Sequence, residues 1–423
     1  MKEVKARGFT EQMPVEEALG KYLQEVGIEV LPLEVVQITE ALGRVLAEDV
    51  VSEVDVPHFD RSAVDGYAVR SHDTFGASPT NPIVFDVIGT VEVGQTPEFI
   101  VSELKAVRVA TGAPIPKGAD SVIMLEYTEI IGDNKIEIYR PATPGQNVSQ
   151  KGEDVKKGEK LLSKGTVLQP QDIAILAAVG KADVKVVRKP RVAILSTGNE
   201  LVEPKYKVDA GKTIDSNRFF LFAAVKDAGG EPLDLGIAKD DVNEIKSQIS
   251  KGLATADLVL VSGGTSVGER DFAPEAVNSL GKPGVVVHGV AMRPGKPTAL
   301  AAVNGKPVVL LPGYPVAAMM AFNTFVKPLI SKMLGTPVGK SPGHVVKATM
   351  TRRVPSSPGV RDFVRVIVKK VDKGYIADPI RTRGAGIISS MVKANGLVII
   401  PEEKEGIEEG EEVDVILLRT LEE

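Results

Sequence analysis

The chain has 423 residues, with 51 Lys+Arg against 56 Asp+Glu and a formal charge of −5. That balance supplies no clustered positive field, which excludes nucleic acid and anionic membrane surfaces as expected partners. Hydrophobic residues make up 43%, enough for several cores, and cysteine is absent, which removes disulfides, thiolate catalysis and Cys-ligated zinc.

The histidines, His58, His72, His288 and His344, are too widely spaced for a helical metal-binding pair. Hard cations on carboxylate oxygens remain open to the chain. The start, Met1 to Arg7, has no apolar stretch of signal-peptide type, and no apolar run approaches the ~20 residues of a membrane span. A cytoplasmic protein is expected.

In chain order, a helical pattern runs from Val15 to about Gly43, with Ala18, Leu19, Tyr22 and Leu23 on one face. Short β-rich runs follow, such as Ile83–Ile88, Ala106–Ala110 and Lys135–Tyr139, ending at Pro141-Ala142-Thr143-Pro144-Gly145. A bridging stretch then carries a helix near Gln171–Val179. After Pro190 the pattern alternates strand and helix. Val192–Leu195 is a continuous apolar run, as a strand buried on both faces requires. Asn217 is placed to cap a helix ending at Gly229-Gly230, and Asp241 to cap another. Leu233–Ile237, Leu258–Val261, Val285–Val287 and Val308–Leu311 read as further strands, and Pro315 opens a long helix ending near Gly335. Phe363–Val371 and Gly396–Ile400 return to β texture. The expected fold is multidomain, α/β plus β. It comprises a helical/bridging domain (1–46 and 147–185), an inserted β domain (47–146), a three-layer α/β domain (186–336) and a C-terminal β-barrel-like domain (337–423).

Three loops leave the C-terminal ends of the expected parallel strands: Ser196-Thr197-Gly198-Asn199-Glu200, Ser262-Gly263-Gly264-Thr265-Ser266-Val267-Gly268-Glu269-Arg270-Asp271, and Pro312-Gly313-Tyr314-Pro315. Ligands of open α/β sheets collect at that edge, where glycine admits close backbone approach and hydroxyls supply donors. Neither Gly-rich loop has dinucleotide-binding or Walker spacing. Arg293-Pro294-Gly295-Lys296-Pro297 is a stiff basic loop suited to an oxyanion. Glu200, Asp240 and Asp271 sit at the loop ends, and acids beside phosphate-binding loops point to Mg²⁺. The densest charged segment is Pro57 to Arg70, which holds His58, Asp60, Arg61 and Asp65.

Pro57–Arg70 resembles the signature of the molybdopterin molybdenumtransferases, the MoeA/gephyrin E-domain family. The resemblance continues in order through Thr111-Gly112-Ala113-Pro114, Lys151-Gly152-Glu153-Asp154, Ser196–Leu201, Asp215-Ser216-Asn217-Arg218, Ser262–Asp271, Arg293–Pro297 and Leu311–Val316, nearly the whole chain. It implies four domains, with the α/β domain binding molybdopterin, and an elongated homodimer with its cleft between subunits. The implied reaction inserts molybdate or tungstate into adenylylated molybdopterin and releases AMP, with Mg²⁺ as helper.

On this reading Ser196, Thr197, Gly198, Ser262, Gly263, Gly264, Thr265, Ser266, Pro312, Gly313, Tyr314 and Thr111 bind substrate, and Glu200, Asp240 and Asp271 place the metal. Arg293 and Lys296, with Arg361 and Arg365, receive the oxyanion, and Asp60 and Asp65 join the catalytic set. The chain departs from common family residues at Gly289, Arg293, Tyr314, Ala317 and Ala385. Implied partners are molybdopterin adenylyltransferase and apo-molybdoenzymes, met transiently. The alternatives are an adenylyltransferase, which would consume ATP, and a non-enzymatic delivery or scaffold protein.

Overall fold

The structure, a computed structural model, describes residues 12–205, 207–264, 272–337, 344–372, 374–380 and 384–421. The chain divides into two compact units, 35–186 and a second comprising residues up to 34 together with 187 onward.

In unit 35–186, a six-stranded sheet runs in the order Ser121–Met124, Gly66–Val69, Lys105–Val109, Ile83–Val91, Lys135–Ile138 and Thr128–Gly132. Its two faces are buried by separate clusters, one around Phe85, Ile136 and Ile138, the other around Val91, Val107 and Val109. A further core, with Leu46, Val50, Leu168, Leu176 and Val186, draws on chain from both sides of this module and includes the helix Pro170–Ala178.

The second unit opens with helix α1 (Val15–Val26). The helical pattern expected to reach Gly43 stops here, at Gly27 in the left-handed region (φ 53°), and Leu33–Gln37 is a strand. Pro32 cannot donate to a continuing helix, and the β-branched Val35 and Val36 favour extended backbone. Helix α1 was expected within the bridging domain; its buried Tyr22 instead donates a hydroxyl shared between Ala301 O at 2.9 Å and Val308 O at 3.1 Å, on the α/β sheet.

That sheet has six strands: β1 (Arg191–Thr197), β2 (Glu231–Ala238), β3 (Leu258–Ser262), β4 (Pro283–His288), β5 (Ala299–Val303) and β6 (Lys306–Leu311). Their order is β2-β1-β3-β6-β5-β4. Neighbours among β2, β1, β3 and β6 are parallel, as expected; β5, not foreseen from the sequence, runs antiparallel to both its neighbours. On one face, Ala193, Leu195, Val259 and Val261 meet Ile245 and Ile249 of helix α2 (Val242–Thr255). Asp241 caps that helix, accepting from the backbone N–H groups of Asn243 and Glu244. The long helix from Pro315 is broken by a π turn at Phe322–Val326 and ends at Gly335 with φ 71°.

After the α/β sheet, the strands Arg361–Val371, Gly374–Pro379, Val345–Met350, Glu412–Leu417 and Gly396–Ile400 pair in that order, and the last returns to the first. This closed five-stranded barrel encloses Met350, Val364, Val366, Val398 and Val415. Met292–Arg293 adds a short parallel ladder to its Arg361–Asp362 edge.

Candidate functional site

Strand order reverses direction at β1: the chain goes from β1 to β2 on one side, then to β3 on the other. Such a switch point leaves a crevice at the carboxyl ends of the strands. Register aligns the three loops there, since Ser196 lies opposite Ser262 and Ser262 opposite Leu311. They border a cleft of about 880 Å³, whose lining includes Ser196, Thr197, Gly198, Ser262, Gly263, Gly264, Pro312, Gly313 and Tyr314. Gly263 is required: its φ is +99°, and a Cβ there would lie 2.4 Å from Thr197 O. Thr265, Ser266 and Asp271 lie outside the described residues.

The floor is polar and buried. Ser196 Oγ, Thr197 Oγ1 and Asn217 Oδ1 make no hydrogen bond among the described residues, so their capacity is available to a ligand. Asn217, expected as a helix cap, is instead the first residue of the helix Asn217–Asp227 and makes no capping bond. Its Nδ2 donates to Ser262 Oγ at 2.8 Å and to Gly313 O at 2.9 Å. A carbonyl oxygen accepts only from the nitrogen, which fixes the orientation of the amide. Because Ser262 Oγ accepts from Asn217, its own proton is left for another acceptor. The next residue, Arg218, is buried and paired with Asp215, Asp234 and Glu203, which anchors the chain segment forming the neighbouring wall. Burial alone would lower its pKa, but the hydrogen bonds it donates to Asp234 and Glu203 outweigh that and raise it.

Glu200 and Asp240 also line the cleft. Asn199 holds their loops together: its N–H donates to Asp240 Oδ2 at 3.2 Å, and its Oδ1 accepts from Asp240 N at 3.3 Å. Among the described residues no group of three or more acids and histidines forms a metal cage.

The expected oxyanion cations separate. Lys296 lines the cleft. Arg293 instead forms a two-bond pair with Asp362 of the barrel, Nε at 2.6 Å from Oδ1, and Ser356 Oγ donates to the same carboxylate at 2.6 Å. Arg361 pairs with Glu16 and Glu402. Arg365 is only 3% exposed, and burial pulls its pKa down. None of these three arginines lines the cleft.

In unit 35–186, Asp65 Oδ1 accepts from Thr111 N at 2.6 Å and from Thr111 Oγ1 at 2.8 Å. These bonds, the backbone one foremost, hold the Asp65 carboxyl below the usual range. Asp60 Oδ1 accepts from Lys151 N at 2.7 Å.

Sequence reasoning did not place Asn217, Leu201, Ile214, Phe272, Gly386 or Ile388 at the cleft, all of which line it. For Asn217 the signal in the sequence was its place in the Asp215-Ser216-Asn217-Arg218 motif.

Three sequence profiles match in succession: MoeA N-terminal region (domain I and II) over 13–180, "Probable molybdopterin binding domain" over 193–332, and MoeA C-terminal region (domain IV) over 347–418. Proteins named molybdopterin molybdenumtransferase from Bacillus subtilis and Staphylococcus aureus are 36% and 35% identical to this chain. They align over 413 and 408 residues, 96% of this chain in each case and 94% and 95% of theirs. The chain belongs to the MoeA family. Two crystal structures of a molybdopterin biosynthesis MoeA protein from Pyrococcus horikoshii superpose with TM-scores of 0.83 and 0.80, at 40% and 39% identity. They cover 97% and 96% of this chain and 100% of each of theirs. The MoeA N- and C-terminal regions flank the molybdopterin-binding domain on both sides, an arrangement that a lone adenylyltransferase domain does not need.

Proposed function

We propose that this chain is a molybdopterin molybdenumtransferase of molybdenum cofactor biosynthesis. In this reading it inserts molybdate or tungstate into adenylylated molybdopterin and releases AMP. The observation that carries it is the switch-point cleft of the α/β sheet, set within MoeA regions that match from one end of the chain to the other.

The hydroxyls of Ser196, Thr197 and Ser262 and the carboxamide of Asn217 bind and orient the polar edge of the substrate. Lys296 receives the tetrahedral oxyanion, whose charge it offsets without reorganising. Glu200 and Asp240 offer hard oxygen donors that fit Mg²⁺, with Asp271 as the third acid of the expected set. When bound, that ion would offset charge on the phosphoanhydride. The same reading makes the chain a cytoplasmic homodimer, taking its substrate from molybdopterin adenylyltransferase and passing its product to apo-molybdoenzymes. Asp60 and Asp65 belong to the catalytic set on this reading.

AMP release from adenylylated molybdopterin, measured with Mg²⁺ and separate titrations of molybdate and tungstate, tests the proposal. Oxyanion-dependent AMP release with formation of metal-loaded cofactor is expected. Folded protein that binds substrate and releases no AMP would refute it in favour of a delivery role.

A further inference from the structure

We propose that Tyr314 binds a planar heteroaromatic ring of the substrate by stacking on it. This inference rests on the proposed function, because it takes the substrate to carry such rings. Tyr314 is 66% exposed although it lines the cleft. An aromatic ring left this open in a concave site has a face with nothing packed on it, and burying that face favours binding.

The ring is held ready. Tyr314 precedes the helix Pro315–Ala321, and its carbonyl accepts from Ala318 N at 3.0 Å. The next turn is tied down where Val316 N donates to Ala385 O at 3.0 Å. One side of the ring rests on Gly386, where a Cβ would approach Cδ1 to 3.2 Å and Cε1 to 3.5 Å. Glycine at 386 therefore leaves room for this edge of the ring, which a larger residue there would crowd. The hydroxyl makes no hydrogen bond among the described residues, so nothing ties the ring to a polar role.

The rest of the lining matches a flat ligand with polar edges. Tyr314, Pro315, Phe272 and Ile388 give apolar walls, while the floor carries the unpartnered Asn217 Oδ1 and Thr197 Oγ1. A heteroaromatic ring offers that combination: apolar faces, with donors and acceptors around its rim. Adenine and pterin share this chemistry, and both occur in adenylylated molybdopterin.

The test compares wild type, Tyr314→Phe and Tyr314→Ala. It measures Kd for AMP and for a soluble pterin by calorimetry, and KM and kcat with adenylylated molybdopterin. Loss of a base–aromatic stack weakens binding about 5- to 150-fold. Tyr314→Ala is expected to raise Kd for one of the two rings, and KM, by that factor, while Tyr314→Phe stays within about twofold of wild type. A rise for AMP alone assigns adenine, and a rise for the pterin alone assigns pterin. Equal constants for wild type and Tyr314→Ala would overturn the stacking role, as would a loss in Tyr314→Phe equal to that in Tyr314→Ala, which would mean a hydroxyl contact. These outcomes are separable from failure of the proposed function, which would show as no AMP release by wild type. Wild type that binds neither ring and does not turn over would overturn both.

Discussion

Replacing Asn217 probes how the cleft is assembled. Its Nδ2 joins the end of β3, at Ser262, to the loop after β6, at Gly313, from the first turn of a helix. Asn217→Ala deletes two hydrogen bonds in a buried setting, at about 1 kcal/mol net each, and leaves Gly313 O with one partner fewer. Removing the unpartnered Oδ1 and gaining the better helix propensity of alanine returns about 0.5–1 kcal/mol. The expected net loss is about 1–2 kcal/mol, or roughly 2–8 °C in the melting of a domain this size. Asn217→Asp keeps the shape but sets carboxylate oxygens against a carbonyl oxygen, so it should cost more than alanine, about 3 kcal/mol or above. Scanning calorimetry of wild type and both variants ranks them. Because Ser262 loses the donor that orients its hydroxyl, kcat/KM for AMP release should fall about tenfold or more in each. Asn217→Asp as stable as Asn217→Ala would refute the reasoning, since the carboxamide would then not be acting as a donor.

Gly263→Ala should abolish AMP release in protein that still folds, because the new Cβ would lie 2.4 Å from Thr197 O; activity near wild type would show that this loop can relax. Lys296→Met should raise the molybdate concentration giving half-maximal rate at least tenfold, whereas Arg293→Met should chiefly lower the melting temperature by weakening the tie to Asp362. The opposite pattern in calorimetry and kinetics would exchange their roles. Asp257 is held in its charged form: burial raises its pKa, but hydrogen bonds from Arg188 and from Arg191 N outweigh this and lower it. A depressed folded pKa adds stability in full above the unfolded value near 3.9, and that stability is lost as pH falls through the folded value. The stability gap between wild type and Asp257→Asn should therefore be flat from about pH 7 to 5 and shrink below about pH 4; a gap that widens on acidification would contradict the pairing.

The sheet edge was legible because apolar runs buried on both faces end in Ser/Thr/Gly at Thr197 and Ser262, a pattern local in sequence. Asp241 was legible as a cap for the same reason. The fate of Arg293 was not, because its partner Asp362 is 69 residues away and reaches it only once the barrel has closed. Strand β5, Ala299–Val303, escaped notice because its alanines carry no β-propensity signal, and its place is set by pairing with β4 and β6. Asn217 looked like a cap because caps favour asparagine; the carbonyl of Gly313 that claims its nitrogen arrives from a distant loop.

The basic loop serves two different neighbours within a few residues. Arg293 answers to a carboxylate of the barrel, and Lys296 to whatever occupies the cleft. Substitutions at the two positions are thus judged by separate criteria: at 293 by the geometry of a planar two-bond pair, which lysine cannot reproduce, and at 296 by charge delivered to a ligand. Lysine at 293 would keep a charge facing Asp362 and lose the second hydrogen bond of the pair, a loss felt at the barrel and not at Lys296.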